Sequence, residues 1–145
     1  MSGTLRAIAT RSAKRAAMVP QIFTVIDAGA GLAGDANRKP GPAQVTIVSW
    51  EKWQEACAAL GADLPWTLRR ANLLVEGVPL MPDVGRCISI GAVVLEITGE
   101  TDPCQRMDQQ HMGLRAALTP DARGGVRCRV IVGGSIALCE PVHLL

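Results

Sequence analysis

The chain is a succession of short strand-like runs, each stopped by a turn signal before it reaches helical length. The runs are Leu5–Thr10, Gln21–Asp27, Gln44–Ser49, Asn72–Val75, Cys87–Ile90, Ala92–Thr98, Val126–Val132, Ser135–Leu138 and Val142–Leu145. Side chains on a strand alternate between faces, so Val126, Cys128, Val130 and Val132 share one apolar side. Strands at this spacing, with few helices between them, favour a barrel or sandwich over a parallel βαβ sheet. Gly133-Gly134 lies between two runs and is expected to close a two-residue hairpin, and Gly91 another tight turn.

Two helices are expected to interrupt the strands. Ser49 is a good N-cap, with Lys52 where a capping box would want Glu or Gln. The helix it opens turns Trp50, Trp53, Cys57 and Leu60 inward and stops at Gly61, a natural residue just past a helix end. The second spans roughly Cys104 to Leu118, and Gly113 weakens it enough to divide it into two pieces. The fold class is therefore mainly β with a few short helices. At 145 residues the chain is expected to form one domain, 1–145, with a real core.

Composition narrows the function classes. A net charge of +2, one Phe, three Trp and no Tyr leave little for a nucleic-acid footprint or base stacking. No segment approaches the ~18 apolar residues of a membrane span, and the N-terminus shows no apolar signal region. Five cysteines without C-x-x-C spacing argue against a disulfide framework or a four-cysteine zinc site. The expectation is a cytoplasmic protein with reduced thiols.

The chemistry concentrates in Gly99-Glu100-Thr101-Asp102-Pro103-Cys104-Gln105-Arg106-Met107-Asp108. Thiolates are the nucleophilic and metal-ligating form of cysteine, and a positive neighbour such as Arg106 favours them. Pro103 fixes its own backbone and restricts Asp102, which stiffens the approach to Cys104. The other four cysteines, Cys57, Cys87, Cys128 and Cys139, lie in or beside periodic apolar runs and are expected to pack as small hydrophobes. Cys104 alone has neither periodicity nor apolar neighbours.

Polar residues elsewhere fit an anionic ligand. Arg69, Arg70 and Asn72 fall between Trp66 and the apolar Leu73-Leu74-Val75. Arginine grips phosphate bidentately, and asparagine both donates and accepts. Arg115, Arg123, Arg127 and Arg129 add positive charge after the cysteine loop. The glycine-rich Ala28–Asp35 segment lacks a following helix, so it reads as a loop with accessible amides rather than a dinucleotide fingerprint. His111 lies about two helical turns, some ~10 Å, past Cys104, too far for a direct Cys–His pair.

The order of these pieces resembles the MOSC domain, the module at the C-terminus of molybdenum cofactor sulfurases. The resemblance rests on Gly31-Leu32-Ala33-Gly34-Asp35, Val45–Ser49 leading into a Trp-bearing helix, and Asn72-Leu73-Leu74-Val75-Glu76-Gly77. It continues through Ile88-Ser89-Ile90-Gly91 and Glu96-Ile97-Thr98-Gly99 into Pro103-Cys104, and closes on Arg129–Gly134. It implies a MOSC-type β-barrel and places Cys104 at the family's characteristic cysteine. There that cysteine carries sulfur as a persulfide in the sulfurases, or ligates molybdenum held by a pterin in reductases of N-hydroxylated compounds. The resemblance puts Asn72, Arg70, Gly34 and Asp35 near the pterin phosphate. With Thr101, Asp102 and Arg106 of the cysteine loop they form the candidate cofactor-binding set, and Cys104 is the candidate catalytic and metal-ligating residue.

Three readings follow from the resemblance. The first is a stand-alone MOSC protein that binds the molybdenum cofactor (molybdopterin) or carries sulfur on Cys104. The second is a molybdenum-dependent reductase of N-hydroxylated compounds. The third is a non-catalytic module that kept the barrel. Sulfur carriage implies a cysteine desulfurase as partner, and reduction implies an electron-transfer partner.

Overall fold

Alternation of buried and exposed side chains turns the runs into a closed sheet in the computed structural model, which describes residues 2–145. In chain order the strands are β1 (Ser2–Thr10), β2 (Val19–Gln21), β3 (Phe23–Asp27), β4 (Gly31–Leu32), β5 (Val45–Ser49), β6 (Leu73–Glu76), β7 (Cys87–Ile90), β8 (Val93–Glu100), β9 (Val126–Val132), β10 (Gly134–Ala137) and β11 (Pro141–Leu144). β8 shows the principle plainly: Val93, Leu95, Ile97 and Gly99 point inward and every residue between them is part-exposed. Burying one face of each strand requires neighbours on both sides. The order β11-β7-β8-β9-β5-β6-β1 supplies them, and β1 pairs with β11 to close a seven-stranded barrel.

Every pairing in the ring is antiparallel except β5 with β6. Parallel neighbours need a crossover, and here it is α1 (Trp50–Leu60) followed by the 3-10 turn Trp66–Arg69. Ser49 caps α1 as expected, its Oγ accepting from the Lys52 amide at 3.3 Å. Gly61 ends it in the left-handed region at φ 65°. The second expected helix does divide, into α2 (Gln105–Gln110) and α3 (Leu114–Leu118), with Gly113 at φ 87° between them.

The core has two parts. Inside the barrel lie Leu5, Ile47, Leu73, Val75, Ile88, Ile90, Leu95, Cys128 and Val142. Outside it, α1, α2 and α3 pack Trp53, Cys57, Met107, Leu114 and Leu118 against Val48 and Leu74 of the wall.

Two expectations about which strands pair fail. The run Gln21–Asp27 is not one strand. It breaks at the exposed Ile22, leaving β2 beside β1 and β3 beside β10. Gly133-Gly134 does not close a hairpin either: β9 pairs with β5 and β8, and β10 pairs with β3. At Gly133 the backbone passes so close to β3 that a Cβ would come within 2.6 Å of the Ile26 carbonyl oxygen. The glycine lets the chain leave the barrel for the small sheet β10-β3-β4. The Ala28–Asp35 segment also contributes β4, where a loop was expected.

Candidate functional site

The cysteine loop leaves the barrel at the end of β8 and is seated on two glycines. Thr101 donates its amide to the Gly125 carbonyl at 2.9 Å. A Cβ on Gly124 would stand 2.6 Å from the Thr101 carbonyl oxygen and 3.3 Å from the Pro103 ring. Gly125 adopts φ 95° and presses against the Ile47 carbonyl. Only glycine fits this seat, so Gly124-Gly125 sets the height at which Pro103 and Cys104 ride. Cys104 then stands at the N-cap of α2, exposed, its carbonyl accepting from the Met107 amide at 2.9 Å.

Beneath the loop lies Arg69, 5 % exposed. Its Nε donates to the Gly124 carbonyl at 2.8 Å and its Nη2 to the Thr101 carbonyl at 2.9 Å. Its Nη1 faces the Met107 sulfur at 3.6 Å. Burial lowers the pKa of this guanidinium, opposed by Cys104 and then Asp102. Among the described residues no carboxylate forms a salt bridge with it.

Beside the loop is a polar cleft of about 160 Å³ lined by Arg15, Arg70, Arg106, Gln109 and Gln110. Arg70 sits in the left-handed region at φ 63°, just past the 3-10 turn. Its Nη2 donates to the Ala16 and Lys14 carbonyls at 2.6 and 3.2 Å. Arg106, on the first turn of α2, donates to the Lys14 carbonyl at 3.3 Å. Arg11 donates to the Arg70 carbonyl at 3.3 Å. The Nε atoms of Arg11 and Arg70 are buried without a partner. The Arg70 pKa is lowered first by burial, then by the like charges of Arg11 and Arg106, with Asp35 opposing. Arg11, Arg70 and Arg106 are thus held together by backbone carbonyls with Arg15 across the cleft, and among the described residues none of the four forms a salt bridge with a carboxylate.

The other expected site residues take these places. Asp35 is buried and organises the glycine loop, its Oδ1 accepting from the Arg11 amide at 3.0 Å and its Oδ2 from the Asn37 amide at 3.2 Å. Gly34 is exposed at φ 76° with open space around it. Asn72 is buried, and the barrel engages both ends of its amide. Its Oδ1 accepts from the Thr46 amide and hydroxyl, both at 3.2 Å, and its Nδ2 donates to the Ala9 carbonyl at 3.4 Å. Thr101 gives its backbone to the loop seat while its hydroxyl is buried without a partner. Asp102 is exposed. The later arginines do not line the cleft: Arg123 pairs with Glu55 at 3.6 Å and Arg129 with Glu96 at 3.3 Å.

The cysteines divide as their neighbours dictate. Cys57 and Cys128 are buried, and all five are free. Burial, with Cys87 adding to it, pushes the Cys128 thiol up to about 12. Cys139 corrects the expectation of a packed residue. It is exposed, in a left-handed turn at φ 73° between β10 and β11, where a strand face was expected to hide it. Sequence reasoning also missed the seat of the loop, for which the Gly124-Gly125 pair was the visible signal. It missed the burial of Arg69, which has no local signature.

The MOSC domain profile matches residues 34–143, well over half of the chain. The chain belongs to the MOSC domain family. Solved structures share the fold of this chain. The YuaD protein from Bacillus subtilis superposes with a TM-score of 0.83 at 20 % identity, covering 98 % of this chain and 94 % of that one. YiiM from Geobacillus stearothermophilus gives 0.79 at 15 % identity, covering 99 % and 75 %. YiiM from Escherichia coli gives 0.70 at 13 %, covering 98 % and 69 %. At these identities the likeness establishes the fold. No curated protein matches the chain. Among the described residues no helix is long and apolar enough to cross a membrane.

Proposed function

We propose that this MOSC domain binds the molybdenum cofactor, with Cys104 supplying the sulfur that ligates the metal or carries a persulfide. One observation carries the reading: Arg15, Arg70 and Arg106 line a cleft beside the helix whose N-cap is an exposed thiol, and the Nε atoms of Arg70 and of the adjoining Arg11 are buried without partners. Buried donors without partners are costly, and an anion in the cleft would satisfy them with charge-assisted bonds. The cleft is far smaller than the ~300–1,000 Å³ of a typical ligand pocket, so it suits a phosphate-sized head group.

The donor set fits the rest of the cofactor as well. Among the described residues no three His, Cys, Asp or Glu side chains come together to hold a metal. One soft thiol therefore suits a metal that arrives already held by its pterin. When bound, the cofactor would supply a molybdenum centre for sulfur transfer or reduction. The chain's part is to bind the phosphate through Arg15, Arg70 and Arg106, and to present Cys104 on a loop fixed by Pro103 and the glycine seat. Asp35 ties the Arg11 backbone to the glycine loop, and Asn72 ties the start of β6 to β1 and β5. Each mode implies a partner, a cysteine desulfurase for sulfur or an electron donor for reduction.

The test is molybdenum per chain after expression in a host that makes the cofactor, with mass spectrometry of Cys104 for added sulfur. Arg70→Ala removes a charged donor and should weaken retention roughly tenfold or more, by about 1.5–3 kcal/mol. Cys104→Ser should abolish metal–sulfur ligation and persulfide while leaving the fold intact, because an exposed residue contributes little packing. Wild type carrying neither molybdenum nor persulfide, after anaerobic handling and reconstitution, would reject the reading in favour of a non-catalytic module.

A further inference from the structure

The loop 12–18 joins β1 to β2, and it is pinned at both ends and nearly free between them. At its base the Arg11 amide donates to Asp35 Oδ1 at 3.0 Å, and the Arg11 carbonyl accepts from the Ala36 amide at 2.8 Å. At its far end Val19 pairs with Thr10. Within the loop the Ala16 amide donates to the Ala13 carbonyl at 3.0 Å, which puts Lys14 and Arg15 at the exposed tip of a turn. Among the described residues only two side chains reach into the loop with a hydrogen bond, and both are arginines of the cleft. Arg70 donates Nη2 to the Ala16 carbonyl at 2.6 Å and to the Lys14 carbonyl at 3.2 Å. Arg106 donates Nη1 to that same Lys14 carbonyl at 3.3 Å. One carbonyl of the loop therefore gathers two guanidiniums from separate elements, while Arg15 lines the cleft from the tip.

We propose that the loop 12–18 is a lid on the arginine cleft, and that a tetrahedral oxyanion such as a phosphate group closes it. The proposal deepens the anion-binding part of the reading above and rests on it. Ser12, Ala13, Lys14, Arg15 and Ala17 are all exposed, and the loop holds one internal backbone hydrogen bond, so it belongs to the easily opened part of the molecule. With no anion present, Arg15 must approach Arg70 and Arg106 against like charge, with no carboxylate bridging them. An anion reverses the sign of that interaction. Arg15 then grips it from the lid, and Arg70 and Arg106 grip it from the floor, through charge-assisted bonds. The floor arginines need not release the loop to do so. A guanidinium carries five N–H donors, the loop engages one nitrogen of each, and the Arg70 Nε is still without a partner.

Trypsin reads the lid directly, because Lys14 and Arg15 at its tip are both cleavage sites. The full-length chain is digested in inorganic phosphate and in chloride at equal ionic strength. Trypsin activity on a small chromogenic substrate is measured in both buffers, and phosphate binding is measured by equilibrium dialysis. At a phosphate concentration ~10 times its dissociation constant, cutting after Lys14 and Arg15 should slow roughly tenfold. Arg106→Gln removes one tie and one floor charge. It should be cut faster than wild type in chloride, and at the same phosphate concentration it should gain less than about threefold protection. Arg15→Gln alters only the exposed tip and leaves Lys14 as the cut site; it should lose protection to a similar degree, and it decides the matter if Arg106→Gln does not fold. Phosphate that binds without slowing the cut, or that slows it equally in wild type and both variants, overturns the lid and leaves the cofactor reading standing. Phosphate that does not bind overturns the lid together with the anion site. Protection by phosphate in a chain that never acquires molybdenum upholds the lid and counts only against the cofactor.

Discussion

A buried thiol and an exposed one obey opposite rules, and Cys128 and Cys104 show both. Cys128 is fully enclosed in the barrel, and burial raises its pKa from 9.0 to about 12. Below about pH 9 it is protonated in both folded and unfolded chains and adds no pH dependence. Between about 9 and 12 the unfolded chain loses this proton and the folded chain keeps it, so stability falls as pH rises, at most by about 1.4 kcal/mol per unit. Denaturant titrations at about pH 8 and pH 10 should therefore show a smaller alkaline loss for Cys128→Ala than for wild type. Equal losses would mean the thiol is not shielded as described. The exposure of Cys104 was legible in the sequence, because no apolar periodicity runs through it. Arg69 was not, because only tertiary contacts decide whether an arginine sits in water or beneath a loop. Asn72 stood out as a polar residue before an apolar run, but its bonds to Thr46 and Ala9 come from strands far away in sequence.

Alternation reveals a strand, yet it says nothing of which edge that strand will meet. The runs that became β1, β5, β6, β7, β8, β9 and β11 were all visible for that reason, each within a few residues of its final bounds. Pairing was misread at Gln21–Asp27 and at Gly133-Gly134, where the chain changes sheets. A glycine pair between strands reads locally as a hairpin, and only the closeness of β3 reveals why Gly133 must be glycine. That closeness can be measured. Gly133→Ala sets a methyl group 2.6 Å from a backbone carbonyl that cannot yield without moving β3, so it should cost about 1–3 kcal/mol. Gly29→Ala meets only the flexible Asp27 carboxylate at 3.3 Å and should fall within about 0.5 kcal/mol of wild type. Chemical unfolding of the two variants side by side checks the contrast. The cap of α1 offers a second measure: Ser49→Ala removes the acceptor for the Lys52 amide and should cost roughly 1 kcal/mol.

Closure of the barrel joins the first strand to the last, and the site depends on it. β1 leads to Arg11, which bonds the Arg70 carbonyl, and β8 leads to the cysteine loop; the ring of strands fixes one against the other. The seam is the pairing of β1 with β11, where Gly3 lies opposite Val142 and Ser2 opposite His143. Val142 is fully buried and the next residue, His143, is exposed, as strand geometry requires when only one face meets a core. In a sheet left open at this seam Val142 would lie at an edge, and both positions would tolerate a carboxylate. In a closed barrel they must differ sharply. Val142→Asp places a charge in an apolar interior without a partner, which should cost about 4 kcal/mol or more and erase the cooperative thermal transition. His143→Asp changes only a solvent-facing side chain and should shift stability by no more than about 0.5 kcal/mol. Thermal unfolding followed by circular dichroism separates the two cases, and similar melting for both variants would show that the barrel is not closed where β1 meets β11.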